Sequence, residues 1–483
     1  MAEDLCQLRD IIVGAVDSIL GICEQRGCDF PSLDKPSDTS EFAKDGVRND
    51  PRVTDAISLG VAAASQLIAT LQPPAMTLYS SAARFNLPAC LGAAERLHVP
   101  EILRDTGNKG MHIDDIVKIN GADSQKLGRV LRYLATNHIF KETAPNMFAN
   151  NMISSLLDTG KDYAEIERDP INKFDNTDGL TAWISFIADD CMKSGAYLSQ
   201  TLTDPATAHS KDPNQTSIQK AFRFEGTRWE FLERPENLFM FRRYGAAMSG
   251  AARLQPPWAV LTSYDWASLP AGSVFADVGS GIGNFSLEVA KIRPDLTFIL
   301  EDRPPVMQKA EKYWKQQAPQ LSASGNVHFI GHDFFVPQPN LPVQPDVFFM
   351  RTILHDWSDP FARKILLNLR HASKPETKLL IIDTLIEYAC PSDGTASTQI
   401  PGYEPPKAPA PLLPNMGYSS IASYDLDMIM LNNLNANERT VTAFRDLLAS
   451  AGWRLYEVRK NPGNKMWWPM IVAVPTEIPE PRL

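Results

Sequence analysis

From about Leu269 onward, short apolar runs alternate with longer segments of helical period. The runs are SVFADV, LTFIL, NVHFI, DVFFM, KLLIID and finally MWWPMIVAV. Apolar runs of this length fit strands covered on both faces, and helical patterns fill most of the gaps between them. The pattern predicts an α/β fold over residues 261–483, a doubly wound, mostly parallel sheet. Upstream, from about Pro74 to Ile171, the period is helical. ACLGAAERLHVPEIL places Leu91, Ala94 and Leu97 near one face, and DSQKLGRVLRYLATNHIF does the same with Leu127, Val130, Leu131 and Leu134 behind an Asp123/Ser124 cap. GMHIDDIVKINGA gives a short helix closed by Gly121, and FKETAPNMFANN has the shape of two short strands around a turn. Three helices and a hairpin predict a winged-helix-like module over residues 73–172.

The flanking segments differ from both. Residues 1–72 open on an amphipathic helix whose acids, Asp17 among them, interrupt the apolar run that a secretory signal requires. They continue into a polar linker or loosely held loop at 29–53. Residues 173–260 are helical and rich in Trp, Phe and Met. Such stripes build core, but beside a catalytic domain they also suit an apolar pocket. Within the α/β region, residues 391–420 form a Pro-rich insertion that leaves just beyond the KLLIID strand. Loops there lie over the ligand crevice of such folds, so a lid and a functionless insertion both stay open.

Composition narrows the function classes. A chain of 483 residues exceeds one ordinary core, so two or three domains are expected. The net charge of −10 argues against nucleic acid as a partner, and the third helix of the winged module offers only Lys126, Arg129 and Arg132. A packing and dimerisation role for that module outweighs a DNA-binding regulator. Six scattered cysteines without a CxxC pair suggest a reducing compartment with neither a zinc site nor a disulfide frame. No window approaches a membrane span, so the expectation is a soluble, cytoplasmic protein with no membrane partner.

Candidate chemistry begins at VFADVGSGIGNFSLEVA, a strand followed by Gly279, Gly281 and Gly283 and then a helix. The spacing is GxGxG with Asp277 just before it, not the GxGxxG of dinucleotide enzymes. A pyrophosphate is repelled by that carboxylate, whereas a ligand ammonium tolerates it. The next strand ends in Glu301-Asp302, placed for the two hydroxyls of a ribose. The third delivers GHDFF, where Asp333 can accept from an adenine amine and Phe334 can lie against the ring. These parts favour S-adenosylmethionine over NAD. The stretch DVFFMRTILHDWSDPFARKILLNL raises a further question. Ser358 or Asp359 can cap its helix and Pro360 suits the first turn, but His355 and Trp357 are not needed for that. The simplest reading of Asp356 and Asp359 is helix-cap chemistry, and Trp357 is either a packing wedge or a cofactor contact. No clustered acid triad suggests a metal.

In the same order, DVGSGIG, EDRPPVM, GHDFF, FMRTILHDWSD, IIDTLIE and NANERT resemble the motifs of caffeate-type class I O-methyltransferases, with fungal polyketide and phenol O-methyltransferases the nearest in kind. The resemblance implies a Rossmann-like methyltransferase domain behind a helical dimerisation domain, S-adenosyl-L-methionine as cofactor, a small aromatic acceptor and a homodimer. Carried over residue by residue, it implies cofactor contacts at Asp277, Gly279, Gly281, Gly283, Asp302, Asp333, Phe334 and Arg351. It also implies a catalytic base at His355 flanked by Asp383 and Glu438, and an acceptor pocket lined by Tyr244 and Met248. Asp383 stands where glutamate is usual, and Arg351 where lysine is. A cofactor-binding protein catalysing a pericyclic or cyclisation step, or an N-methyltransferase, is the alternative.

Overall fold

The structure, a computed structural model, describes residues 2–37, 45–254, 261–339, 341, 343–391, 400–461 and 468–479. Three short strands, β1 (Met111–His112), β2 (Lys141–Ala144) and β3 (Met147–Ala149), form an antiparallel sheet in the order β1-β3-β2. Helices Asn86–Arg96, Ile113–Asn120 and Ser124–Thr136 close on it around Leu127, Leu131, Leu134 and Phe148. The third helix starts where its sequence signal predicts, with Asp123 Oδ1 accepting from Lys126 N at 2.9 Å. This is the expected winged arrangement.

The catalytic sheet consists of β4 (Val274–Val278), β5 (Thr297–Asp302), β6 (Val327–Gly331), β7 (Val347–Arg351), β8 (Lys378–Ile382), β9 (Trp453–Arg459) and β10 (Met470–Pro475). Their order is β6-β5-β4-β7-β8-β10-β9. Pairing is parallel through β8 and antiparallel for β10 against both neighbours. Strand alternation sends Ala276, Phe348 and Ile381 to a core shared with helices Asp359–Ala372 and Val441–Ser450. Phe275, Phe298 and Phe349 go to the opposite core, with helices Asn284–Ile292 and Pro304–Gln317.

Four expectations need correction. The edge strand β9 escapes a search for continuous apolar runs, because WRLYEVR alternates buried and exposed positions. The last strand begins at Met470, and Met466 and Trp467 of the run MWWPMIVAV lie outside the described residues. The linker is pinned where it is described: Met152 N donates to Leu33 O at 3.0 Å and Ser37 N to Ser155 Oγ at 2.8 Å. Helix Pro51–Leu71 is long and apolar enough to cross a membrane, contrary to the expectation from sequence; here its small residues Ala62 and Ala63 pack with Leu8 of the first helix.

The same apolar cluster takes in Ala408, Leu412 and Met416 of the Pro-rich insertion. Gln66 Nε2 donates to Pro411 O at 2.7 Å, and Ser58 and Ser419 share a hydroxyl contact at 2.7 Å. Val458 N donates to Pro401 O at 2.9 Å. Residues 400–420 thus join the catalytic sheet to the N-terminal helix pair. Residues 392–399 of the insertion lie outside the described residues.

Candidate active site

β4 and β7 are neighbours whose chains leave towards opposite edges of the sheet, through β5 and β8 respectively. Ligands of doubly wound folds bind at the carboxyl ends of the strands at such a switch point. Two loops meet there, 279–283 and 351–359. Gly279, Gly281 and Gly283 all take positive φ, at 75°, 57° and 74°. A Cβ on Gly279 would run into Ile353 and one on Gly283 into Leu300 and Trp314, so crowding adds to the left-handed φ in requiring glycine at both. Gly281 instead faces open space and donates its N–H to Asp302 Oδ2 at 2.9 Å.

Asp302 Oδ1 accepts from Arg303 N at 2.7 Å, so two amides fix its carboxylate. Each oxygen still has a lone pair to offer a ribose hydroxyl. Glu301 does not join it, which corrects the expectation of a paired acid. Alternation along β5 turns that side chain into the core, 1% exposed, where burial pushes its carboxyl up to about 7. Asp277 is buried and accepts from Ser286 Oγ; burial raises it to about 7, with Asp302 adding to the shift. Arg351 is the cation beside it: burial lowers that guanidinium to about 10 and Asp277 opposes the shift. An acid and a base at one end, open space over Gly281 in the middle and Asp302 beyond fit a ligand bearing an ammonium, a carboxylate and a diol. Asp333 is exposed, its Oδ1 accepting from Phe335 N at 2.9 Å. Phe334 and Trp357 meet edge to face, with centroids 5.9 Å apart, in a cluster with Phe335 and Phe361. Trp357 packs in that cluster, against the ring expected to meet the purine.

His355 sits in the short turn Leu354–Asp356 after β7 and is 7% exposed. Its Nδ1 lies 2.7 Å from Glu438 Oε1 and its Nε2 lies 3.5 Å from Asp356 Oδ1. A carboxylate only accepts, so Nδ1 carries a proton and Nε2 is the basic nitrogen. Burial alone would lower the imidazole, but Asp356, Glu438 and Asp383 outweigh it and raise the group above its ordinary range. Asp383 follows β8, whose Ile382 pairs with Arg351. It is fully buried, and burial together with Glu438 and Asp356 pushes it up to about 7 while His355 pulls it down. Neither Asp383 oxygen, nor Glu438 Oε2, has a hydrogen-bond partner among the described residues. Buried acceptors left unmade are expensive and point to a ligand that donates.

Tyr244 faces this cluster from helix Leu238–Arg253, within the fields of Asp356 and Arg228, and burial pushes its phenol up. Its ring meets Phe186 at 5.6 Å and Trp229 at 5.4 Å. Met248, one turn on, is 37% exposed, and nothing among the described residues brings it into the cluster as Tyr244 is brought.

The loop bearing His355 is held differently from the sequence expectation. Ser358 occupies the N-cap position but its hydroxyl donates to Lys211 O at 2.8 Å, and Asp359 accepts from Arg439 Nε at 3.0 Å, so neither side chain caps the helix. Arg439, 1% exposed, also donates to Leu354 O and Trp357 O, each at 2.7 Å. Its own carbonyl accepts from Ile386 N at 3.1 Å. Arg439 thus ties the carrier of Glu438 to the His355 turn through its guanidinium and to the segment after Asp383 through its carbonyl. The sequence signal was present in NERT, but only Glu438 was read from it. Arg439→Met should lose roughly 3–5 kcal/mol of stability, because it leaves buried carbonyls unpaired. Chemical denaturation checks this, with Arg439→Lys expected to recover part of the loss.

Comparison with known proteins agrees with this layout. Residues 207–401 match a profile for an O-methyltransferase domain, and residues 79–160 one for an O-methyltransferase dimerisation domain. An O-methyltransferase of Armillaria gallica is 43% identical over 458 residues, covering 95% of this chain and 96% of its own. A 4-O-methyltransferase of Phanerochaete chrysosporium is 37% identical, covering 98% of this chain and all of its own. Among solved structures, OxaC in complex with sinefungin and meleagrin superposes with a TM-score of 0.66 at 16% identity, over 96% of this chain and 99% of that one.

Proposed function

The chain belongs to the O-methyltransferase family, and from that premise we propose S-adenosylmethionine as its methyl donor, an aromatic phenol or polyketide as its acceptor, and His355 as its general base. The observation that carries this reading is the 2.7 Å contact between His355 Nδ1 and Glu438, set beside the unpaired oxygens of Asp383. S-adenosylmethionine, when bound, supplies a methyl group on a sulfonium, so no further electrophile is required.

Asp277, Gly281, Asp302 and Arg351 would hold the donor, with Asp333 and Phe334 as its expected adenine contacts. His355 Nε2 takes the acceptor's hydroxyl proton as the oxygen gains the methyl group and that carbon's bond to sulfur breaks. Glu438 fixes the tautomer and stabilises the imidazolium, and Asp383 orients the hydroxyl until the proton leaves. A phenol titrates near pH ~10 as tyrosine does, so an imidazole raised by three carboxylates comes closer to its partner in basicity. Tyr244 and Met248 border the acceptor. The match to a dimerisation domain, together with exposed Val13, Val16, Leu20, Leu78 and Phe85, supports a homodimer.

Incubation with methyl-labelled cofactor and paired phenols and anilines tests the reading. Label should appear on phenolic oxygen and not on nitrogen. Label confined to nitrogen, or to no acceptor, contradicts it.

A further inference from the structure

Arg228 begins the short helix Arg228–Leu232 behind a Thr227/Glu230 capping box and is 5% exposed. Its guanidinium lies against two rings, 4.9 Å from the centroid of Phe186 and 5.0 Å from that of Tyr244. Neither its Nε nor its Nη2 makes a hydrogen bond among the described residues. The nearest carboxylate, Asp190 Oδ2, stands off at 3.6 Å, and the other oxygen of that carboxylate is bonded by Arg243 Nη2 at 2.6 Å. Arg243 also holds Asp189 at 3.0 Å, and Lys193 pairs with Asp189. Among the described residues, Arg228, Arg243 and Lys193 share the two carboxylates of Asp189 and Asp190, three cations against two acids beside Tyr244. On the other side of Tyr244, Asp356 and the His355 cluster supply carboxylates in excess. Arg228 and Asp356 lie in each other's field without forming an ion pair among the described residues.

The acceptor side is thus dipolar. Its anionic end takes a hydroxyl donor, and its cationic end presents a planar fork with N–H groups unspent. Ring stacking offsets part of the cost of burying that guanidinium but satisfies none of its N–H groups. A fork of this kind matches a carboxylate better than any neutral group. We propose that Arg228 determines acceptor specificity, and that the preferred acceptor is an aromatic hydroxyacid whose carboxylate is held by Arg228 while its hydroxyl faces His355. This inference rests on the aromatic O-methyl transfer proposed above.

The test compares the three hydroxybenzoate isomers with their carboxamides on the full chain, by kcat and KM, and by calorimetric binding to protein loaded with S-adenosylhomocysteine. Wild type should favour at least one acid over its amide by roughly 10- to 100-fold, mainly through KM. Arg228→Gln should erase that preference, bringing kcat/KM on the acid down to that on the amide. Arg228→Lys, which keeps the charge and loses the fork, should retain part of it. Equal use of acid and amide by wild type, or an unchanged ratio in Arg228→Gln, overturns the role of Arg228 while leaving aromatic O-methylation standing. Methylation of no phenol overturns that broader reading, and tighter binding of acid than amide would still support Arg228. If Arg228→Gln fails to fold, as melting and cofactor binding reveal, the wild-type ratio and Arg228→Lys decide.

Discussion

Replacing His355 by alanine should lower kcat for phenol methylation by roughly 10²–10⁴-fold, the range that removing a positioned base commonly costs. The imidazole touches Glu438 and faces Asp356, both on the acceptor side of the crevice. No hydrogen bond joins it to Asp277, Gly281, Asp302 or Arg351 among the described residues, so cofactor affinity measured by calorimetry should be unchanged. The ring also partly neutralises three acids. Alanine should therefore reduce stability as well, and glutamine should retain more of it while remaining equally inactive. A His355→Ala enzyme that turns over near the wild-type rate would remove the base from the account.

The second large effect should run in opposite directions for stability and activity. Asp383 is fully buried with no hydrogen-bond partner among the described residues, and its carboxyl is raised to about 7 from an ordinary ~3.9. Its folded pKa lies above its unfolded one, so the folded state keeps a proton that the unfolded chain releases between about pH 4 and pH 7. Stability is fully present below ~3.9 and declines as pH rises through 7. A shift of that size places up to about 4 kcal/mol at stake at pH 8. Asp383→Asn has no such charge to bury, so it should melt higher than wild type at pH 8 and nearly equal to it at pH 4. The same change should lower kcat, because an amide neither stabilises the imidazolium nor accepts as a carboxylate does. A variant less stable than wild type at pH 8 would show that the carboxylate is well solvated in the folded enzyme.

Much of this site was legible in the sequence because its carriers are local. The apolar runs mark β4, β5, β7 and β8, and strand geometry delivers Asp277, Asp302, Arg351 and Asp383 to the same sheet end. His355 stood out because its loop did not require it. Contacts between distant segments were not legible. Asp356 and Asp359 read as cap residues, yet one faces the imidazole and the other takes Arg439, 80 residues away. The unsatisfied fork of Arg228 is a matter of packing against Phe186 and Tyr244, which spacing alone does not encode. The insertion read as either a lid or a functionless loop because proline precludes regular structure, but its Leu412 and Met416 complete an apolar face of the first two long helices. Glu301 and Asp302 looked like a pair, and only strand alternation separates them.

The most direct measurement of the central claim is the pH dependence of single-turnover methyl transfer, in wild type and in His355→Gln. The base must be neutral to act, and Asp356, Glu438 and Asp383 raise its pKa, so activity should climb with pH through a midpoint above ~6.5. In His355→Gln that limb should vanish and leave a low, nearly flat rate. A wild-type midpoint below ~6.5, or the same rising limb persisting in His355→Gln, would contradict the account.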